Sequence, residues 1–523
     1  MMEPEPKPRF TVAWINIVCA IFSSIGAFIF GFDSGIFNTT IAHASFNLYM
    51  FNDVTGKAIL TGAIASTYTA GTAIGGLFSG WSAERYGRKK SIIVSAAVVM
   101  AGTTIQTAAQ NVGMLIAGRV IAGLAVGVLL SIVPVYNAEL AVPQYRGIIV
   151  GLFAVMASFG VLTSNWIGYG CQFATGNAQW RVPLGCQIPT AALLFAGAFF
   201  LPESPRWLIE KDRSQEAHKI MMRIHGGLGR DFVDREFTQM HEQIVAESGA
   251  RQSRWADCFS TPSARRRMYL GIFVNVFNNL GGTPVISVYQ SKLFQQIGFK
   301  GTKTLFLSGF YGMAGFAGVI TNITLVADRM GRKKSMWIGA LVLVADLGIL
   351  MALTKIYTGS DNEAGKAAAV SFIFLHSYPY SVFMYGTVWV YTTEIFPTHL
   401  RAKGTAICTF WGQAFGILLQ QIGLKVFDDI GFRFYIVFIV CTSFAGLVYY
   451  FFLPETKGAT LEDISKFFGD PVVATLHESK TRIAQVLNEV EGFGDAENEE
   501  GVGMGYQEKS AVEQVEMSNE AKR

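Results

Sequence analysis

The chain has 523 residues, of which 51% are hydrophobic and only 15% charged, with a mean hydropathy of +0.35 and a formal net charge of +4. A soluble domain carries about 25% charged residues, so the deficit implies an apolar solvent around most of the chain. The mild charge excludes the basic patch that nucleic acid needs, and the cysteines (Cys19, Cys171, Cys186, Cys258, Cys408, Cys441) have no metal-site or redox spacing.

A short polar tail with Pro4, Pro6 and Pro8 leads straight into an apolar run. A helix needs ~20 mostly apolar residues to cross a bilayer. Twelve such runs follow in order: 13–36, 58–80, 91–109, 112–136, 148–170, 181–201, 268–290, 304–326, 335–355, 367–392, 402–424 and 431–453. Many are rich in small residues that let helices approach closely in lipid, such as Gly71, Gly75, Gly76 and Gly80 in span two and Gly118, Gly123 and Gly127 in span four. Loops after even-numbered spans hold most of the lysine and arginine, while those after odd-numbered spans are short and carry little. The positive-inside rule therefore places both termini in the cytoplasm.

The expected organisation is an N-terminal tail (1–12), a six-helix half (13–201), a charged, helix-compatible cytoplasmic linker (202–267), a second six-helix half (268–453) and a tail (454–523). The tail is acidic after about residue 470 and reads as disordered. The glycine-rich run from His225 to Gly229 follows no strand and lacks a Gly-Lys-Ser/Thr ending, so it reads as a helix break and not a phosphate cradle.

The loops repeat. Glu84-Arg85-Tyr86-Gly87-Arg88-Lys89-Lys90 follows span two, and Asp328-Arg329-Met330-Gly331-Arg332-Lys333-Lys334 follows span eight. Glu139 and Arg146 after span four have the spacing of Glu394 and Arg401 after span ten. Pro202-Glu203 after span six matches Pro454-Glu455 after span twelve. Three ordered pairs, all offset by about 250 residues, define an all-α membrane protein of twelve transmembrane helices in two pseudo-symmetric six-helix halves.

With Gly31-Phe32-Asp33, Gly118-Arg119, Pro202-Glu203-Ser204-Pro205-Arg206 and Glu394-Ile395-Phe396-Pro397, these motifs resemble the major facilitator superfamily, and within it the sugar porters, in their fungal form. The resemblance implies a secondary transporter that works by alternating access, as a monomer and without a cofactor, at the plasma membrane. It implies a cytoplasmic gate from Glu84, Arg85, Arg88, Glu139, Arg146, Asp328, Arg329, Arg332, Glu394 and Arg401, with Glu203 and Glu455 as partners. Topology signalling explains the basic members equally well, but not the repeated glutamates. The resemblance further implies a proton switch at Asp33 and Arg119; a structural ion pair is the alternative. A lone aspartate in a bilayer costs ~2.5–3.5 kcal/mol on insertion scales, so a partner is expected either way.

The resemblance puts the solute site on spans five, seven, eight, ten and eleven. Asn278 and Asn279 stand where sugar porters have paired glutamines, and Trp389 keeps the family's tryptophan. Elsewhere the pattern departs: Pro284, Ala154, Phe316 and Gly412 occupy positions that are usually polar. Tyr289, Tyr385, Trp389 and Trp411, with Tyr378 and Tyr380, suit a flatter or less polar solute, or in part anchor the protein at the membrane interface. The expected activity is proton-coupled transport of a sugar or sugar-like solute. Transport of another organic metabolite and nutrient sensing are the alternatives. No HExxH, GxSxG or P-loop motif supports an enzyme. Asp346 receives no role at this stage, and His376 reads as a satisfied polar residue.

Overall fold

The computed structural model describes residues 10–53, 57–141, 146–225, 229–249, 255–299, 301–327, 329–457 and 461–469. Asp328 and the acidic tail lie outside the described residues. Twelve helical spans follow the order read from the sequence. Span one is Phe10–Ser23 continued by Ile25–Ala42, span two Ala58–Tyr86, span three Arg88–Thr107, span four Val112–Leu140 and span five Arg146–Cys171. Span six is Ala178–Gly185 with Gln187–Ala198, and span seven Pro262–Leu280 with Thr283–Ile297. Span eight (Thr302–Thr321) ends in a π-helical turn at Asn322–Val326, and span nine is Arg332–Tyr357. Span ten runs from Glu363–Tyr380 through a π-helical turn, Ser381–Tyr385, into Gly386–Glu394. Spans eleven and twelve are Thr398–Ile430 and Phe434–Phe452.

Eight stretches among the described residues are long and apolar enough to cross a membrane on composition alone. They omit spans two, six and seven. Span two is diluted by glycine, serine and threonine, and spans six and seven are each broken into two shorter helices. Where the chain starts a helix, polar side chains do the capping. Asn111, Thr261 and Asn362 each accept a hydrogen bond from the N–H three residues on.

Lipid offers no hydrogen bonds, so every interruption needs an internal partner. The break in span one at Ser23 and Ser24 meets Asn137 of span four: Ser23 Oγ donates to Asn137 Oδ1 (2.6 Å), and Asn137 Nδ2 donates to Ser24 Oγ (3.0 Å). The π-helical turn of span ten is held by its neighbours. Asn322 Nδ2 donates to the Val382 carbonyl (2.6 Å) and Ser335 Oγ to the Phe383 carbonyl (3.0 Å). Span seven turns at Gly281 and Gly282; Gly282 has φ +85° and lies so close to the Phe438 ring that a Cβ would collide with it.

The glycine-rich faces of spans two and four pack backbone to backbone. A Cβ on Gly75 would run into the Leu124 carbonyl oxygen, and one on Gly127 into that of Thr72. The linker folds as Pro205–Glu210, Ser214–His225 and Arg230–Gly249 around Trp207, Leu208, Ile209, Ala217 and Ile244. His225 pins it to the bundle through Glu236 Oε2 (2.9 Å) and the Leu140 carbonyl at the end of span four (3.1 Å).

We expect Gly127→Ala to destabilise the protein by ~1–3 kcal/mol through overpacking. Gly80→Ala, with nothing within 4 Å of the added methyl, is the control. Thermal unfolding in detergent reads both; equal melting points would refute the close-packing argument.

Candidate functional site: a buried ion pair and two mirrored braces

Asp33 and Arg119 meet inside the first half. Asp33 is 1% and Arg119 2% exposed, and Arg119 Nη2 stands 3.5 Å from Asp33 Oδ2. The contact is loose: Asp33 Oδ2 and the Nε and Nη1 atoms of Arg119 have no hydrogen-bond partner. Two aromatic faces take up the cation instead, with the guanidinium 4.4 Å from the Phe37 ring centroid and 4.9 Å from that of Tyr68. Gln187 Nε2, one residue past the break in span six, donates to Asp33 Oδ1 (2.9 Å). Four spans thus converge on one carboxylate. Gln187, Phe37 and Tyr68 were not foreseen; a glutamine just beyond the Pro183–Gly185 interruption was the available signal.

Arg88, Glu139 and Glu203, and likewise Arg332, Glu394 and Glu455, form two matching clusters, each at the end of its own half. In the first, Arg88 Nη2 binds Glu139 Oε1 (2.7 Å) and Arg88 Nη1 lies 3.9 Å from Glu210 Oε2. Burial raises the Glu210 carboxyl above the ordinary carboxylate range, and Arg88 opposes that rise. In the second, Arg332 Nη2 binds Glu394 Oε1 (2.9 Å), whose other oxygen accepts from Thr456 Oγ1 (2.6 Å). Arg401 lies within electrostatic reach of Glu394 and donates from Nε to the Phe396 carbonyl at 3.4 Å.

Glu203 and Glu455 have the same task in the two halves. Glu203 Oε1 accepts from the N–H groups of Arg88 and Lys89 (both 3.1 Å) at the start of span three. Glu455 Oε1 accepts from the N–H of Arg332 (2.7 Å) at the start of span nine, and from those of Thr456 and Lys457 (both 3.0 Å). A carboxylate at a helix N-terminus satisfies orphan donors and complements the dipole. It also explains the glycine in each loop: a Cβ on Gly87 would sit 2.7 Å from Glu203 Oε2, and one on Gly331 would collide with Glu455 Oε2.

Glu84 and Arg85 are exposed and outside this network. Arg85 lies over Trp81 (5.9 Å) and Tyr86 (6.0 Å), and the Glu84 carbonyl accepts from Trp207 Nε1 (3.1 Å). Arg329 is likewise exposed, with its carbonyl accepting from Lys457 Nζ (2.8 Å). Arg146 begins span five, and its side chain is not among those described.

The predicted solute residues divide. Asn278 Nδ2 donates to Tyr380 Oη (3.3 Å), leaving Asn278 Oδ1 unpartnered, and the Tyr380 and Tyr385 rings lie 6.3 Å apart. Tyr385 closes the π-helical turn of span ten, with Trp389 one turn further and 43% exposed. Asn279 Nδ2 donates to the Asn275 carbonyl (3.0 Å), and Trp411 is 46% exposed. Tyr289 is different: it is fully buried in an apolar cluster, and its hydroxyl donates to the Gln420 carbonyl (2.6 Å). A groove of about 630 Å³ beside Tyr269, Phe273, Val448 and Phe452 contains none of these residues.

Among the described residues, the side-chain hydrogen bonds between the halves lie away from the Gly-Arg-Lys loops, while apolar packing of span five on span eight, such as Phe159 on Phe316 (5.8 Å), continues toward them. Ser291 donates from N (3.0 Å) and Oγ (2.8 Å) to Asn38 Oδ1. Thr69 Oγ1 donates to Gln420 Oε1 (2.8 Å) and Ser66 Oγ to Gln421 Oε1 (2.9 Å).

Two six-helix halves with mirrored loops, the first holding a buried charge pair, define an integral membrane transporter of the major facilitator fold. The family described as "Sugar (and other) transporter" matches residues 18–468, and the chain belongs to it. It is 34% identical to the MFS-type transporter criB of Aspergillus cristatus, over 89% of this chain and 96% of that one. It is 30% identical to a quinate permease of Neurospora africana, over 93% and 94% of the two chains. Its fold matches a proton:xylose symporter, XylE, bound to 6-bromo-6-deoxy-D-glucose, with a TM-score of 0.71 and 21% identity, covering 87% of this chain and 99% of that one.

The brace predicts a thermodynamic cycle. Glu455→Ala costs ~0.5–2 kcal/mol, the range for losing a helix cap. Gly331→Ala costs a similar amount in the native background, because its methyl displaces Glu455, and little when Glu455 is already alanine. Gly331 has φ −68°, so the methyl adds no backbone strain. Additive losses in thermal unfolding would refute the shared contact.

Proposed function

We propose that the protein carries a hydroxylated small organic solute, a sugar or a sugar-like ring acid, across the plasma membrane by alternating access, in symport with protons taken up at Asp33. Both termini face the cytoplasm, and the Gly-Arg-Lys loops lie on that side. The observation that carries the reading is the loose Asp33–Arg119 pair, in which a buried carboxylate keeps one oxygen free of hydrogen bonds beside a cation already shared with two aromatic rings. Protonating Asp33 removes the attraction without orphaning Arg119, because Phe37 and Tyr68 still hold the guanidinium. The proton then changes how spans one and four hold together at modest cost, as a coupling site requires.

The outer-end contacts between the halves, Asn38 with Ser291 and Thr69 with Gln420, fit a state closed to the outside. The braces of Arg88 and Arg332 keep each half rigid as it rocks. Asn278 Oδ1, Tyr380, Tyr385 and Trp389 supply one free acceptor, hydroxyls and flat faces, which suits stacking on a ring solute. The thin set of amides and the similarity to a quinate permease favour a ring acid over glucose as the preferred cargo.

The test is uptake in proteoliposomes or transporter-null cells, screening sugars, polyols and quinate-like acids with and without an inward proton gradient. Gradient-driven accumulation of one solute is expected, with its loss on adding an uncoupler. Asp33→Asn should abolish accumulation while solute exchange without net proton movement persists. A final solute level that ignores the gradient would replace symport with facilitated diffusion.

A further inference from the structure

The second half holds a buried titratable cluster that the transport reading leaves unused. Asp346 of span nine, His376 of span ten and Thr283 of span seven form a chain: His376 Nδ1 lies 2.9 Å from Asp346 Oδ2, and His376 Nε2 lies 2.9 Å from Thr283 Oγ1. His376 is 0%, Asp346 4% and Thr283 5% exposed, and Asp346 Oδ1 has no hydrogen-bond partner.

Its position is related by the internal repeat to the Asp33–Arg119 pair. Thr283 follows Asp33 by 250 residues (283 − 33), and His376 follows Arg119 by 257 (376 − 119). The repeated loop glutamates Glu139 and Glu394 are offset by 255 (394 − 139). Spans seven and ten, the counterparts in order of spans one and four, thus also meet through a buried polar contact. The acid and base have been redistributed: the base is a histidine in place of an arginine, and the carboxylate comes from span nine.

We propose that this cluster is a second proton-binding site, in which Asp346 and His376 share one proton and Thr283 conveys its presence to the hinge of span seven. The charge arithmetic supports it. With one proton the pair is neutral overall, as imidazolium and carboxylate or as imidazole and carboxylic acid. With none, a carboxylate is left in the membrane interior. The titratable side chains facing it from packed spans are Tyr311 of span eight and Tyr435 of span twelve, both within electrostatic reach of Asp346. Neither is a cation, and among the described residues the ion-pair partner of Asp346 is His376, so in this proposal the shared proton offsets the charge of Asp346.

Thr283 makes the proton mechanically visible. It is the first residue of the outer helix of span seven, directly after Gly282 in the left-handed region. When a neutral His376 donates from Nδ1 to Asp346, its bare Nε2 can only accept, so the threonine hydroxyl must donate. When His376 is protonated, Nε2–H donates and the hydroxyl turns to another acceptor. Gaining or losing the proton thus reverses the hydrogen bond at the hinge. The outer helix carries Ser291 and Tyr289, which bind Asn38 of the first half and Gln420 of span eleven. A change at Thr283 is therefore linked to contacts that hold the halves together.

The consequence for transport rests on the function proposed above; the proton site itself is read independently. In purified full-length protein with isotope-labelled histidine, the His376 imidazole signal, assigned by its loss in His376→Gln, should titrate or change tautomer with pH. It should lose that response in Asp346→Asn and keep it in Asp33→Asn. Solute exchange at equal pH on both sides should lose most of its remaining pH dependence in Asp346→Asn. Thr283→Val leaves the acid–base pair intact, so the imidazole should still respond while the pH dependence of exchange flattens. An imidazole signal that ignores pH, or an unchanged exchange profile in Asp346→Asn and Thr283→Val, overturns the proposal. A protein that moves no solute but shows the imidazole response would refute the transport reading alone.

Discussion

Every polar group placed in lipid must find its partner within the protein, and this condition organises the bundle more than apolar packing does. Lipid tails are as apolar as leucine, so burying side chains between spans gains little over leaving them in the bilayer. What distinguishes this fold is where the chain departs from regular helix and which side chain answers. Asn137 meets the Ser23–Ser24 break, and Asn322 with Ser335 holds the widened turn of span ten. Each answer comes from a different span, so each irregularity also fixes a helix–helix contact. Irregular helices are the places that can bend, and here they lie next to the residues expected to bind solute.

The mirrored loops show how one sequence repeat can carry two meanings. As a list of charges, they look like a lock between the halves. In the structure, Arg88 with Glu139 and Arg332 with Glu394 join the ends of spans two to four and eight to ten within each half. Glu203 and Glu455 add the end of the sixth span of each half by capping its third. A half tied in this way has the helix ends near its Gly-Arg-Lys loop joined to one another. Among the described residues, the hydrogen bonds between halves are by contrast neutral, made by serine, threonine, asparagine and glutamine with one another or with backbone, each worth ~0.5–1.5 kcal/mol. Rigid halves with weak mutual bonds are what rocking requires.

Much of this was legible in the sequence because periodicity and spacing are local properties. Twelve spans and the six-plus-six division follow from apolar length and repeat offset; a lone buried Asp33 required some partner, and the family resemblance pointed to Arg119. Span two was found by length although its glycines and threonines lower its hydropathy, and the same glycines explain its contact with span four. What could not be read was which members of a repeated set touch. A repeat gives equivalent positions, and Arg88 is as far in sequence from Glu139 as many false partners are. The form of the π-helical turn in span ten was hidden too: Pro379, two residues before it, marks an interruption without specifying its shape, and the groups that hold it, Asn322 and Ser335, lie on other spans. Tyr289 shared its aromatic character with Tyr385, and only packing separates a buried strut from a residue with a free face.

The two halves also differ in how they hold charge, and that difference bears on how an inherited fold changes its coupling. Arginine does not lose its proton, so in the first half Arg119 is a fixed counter-charge to Asp33, held by Phe37 and Tyr68. In the second half the proposed site sets a histidine, itself able to gain or lose a proton, 2.9 Å from the carboxylate of Asp346. The fixed cation can be released from its partner without losing its surroundings, which favours a large rearrangement. The histidine can only redirect a hydrogen bond, which favours a small one. In the reading proposed above, one scaffold thus carries a coarse control in its first half and a fine one in its second.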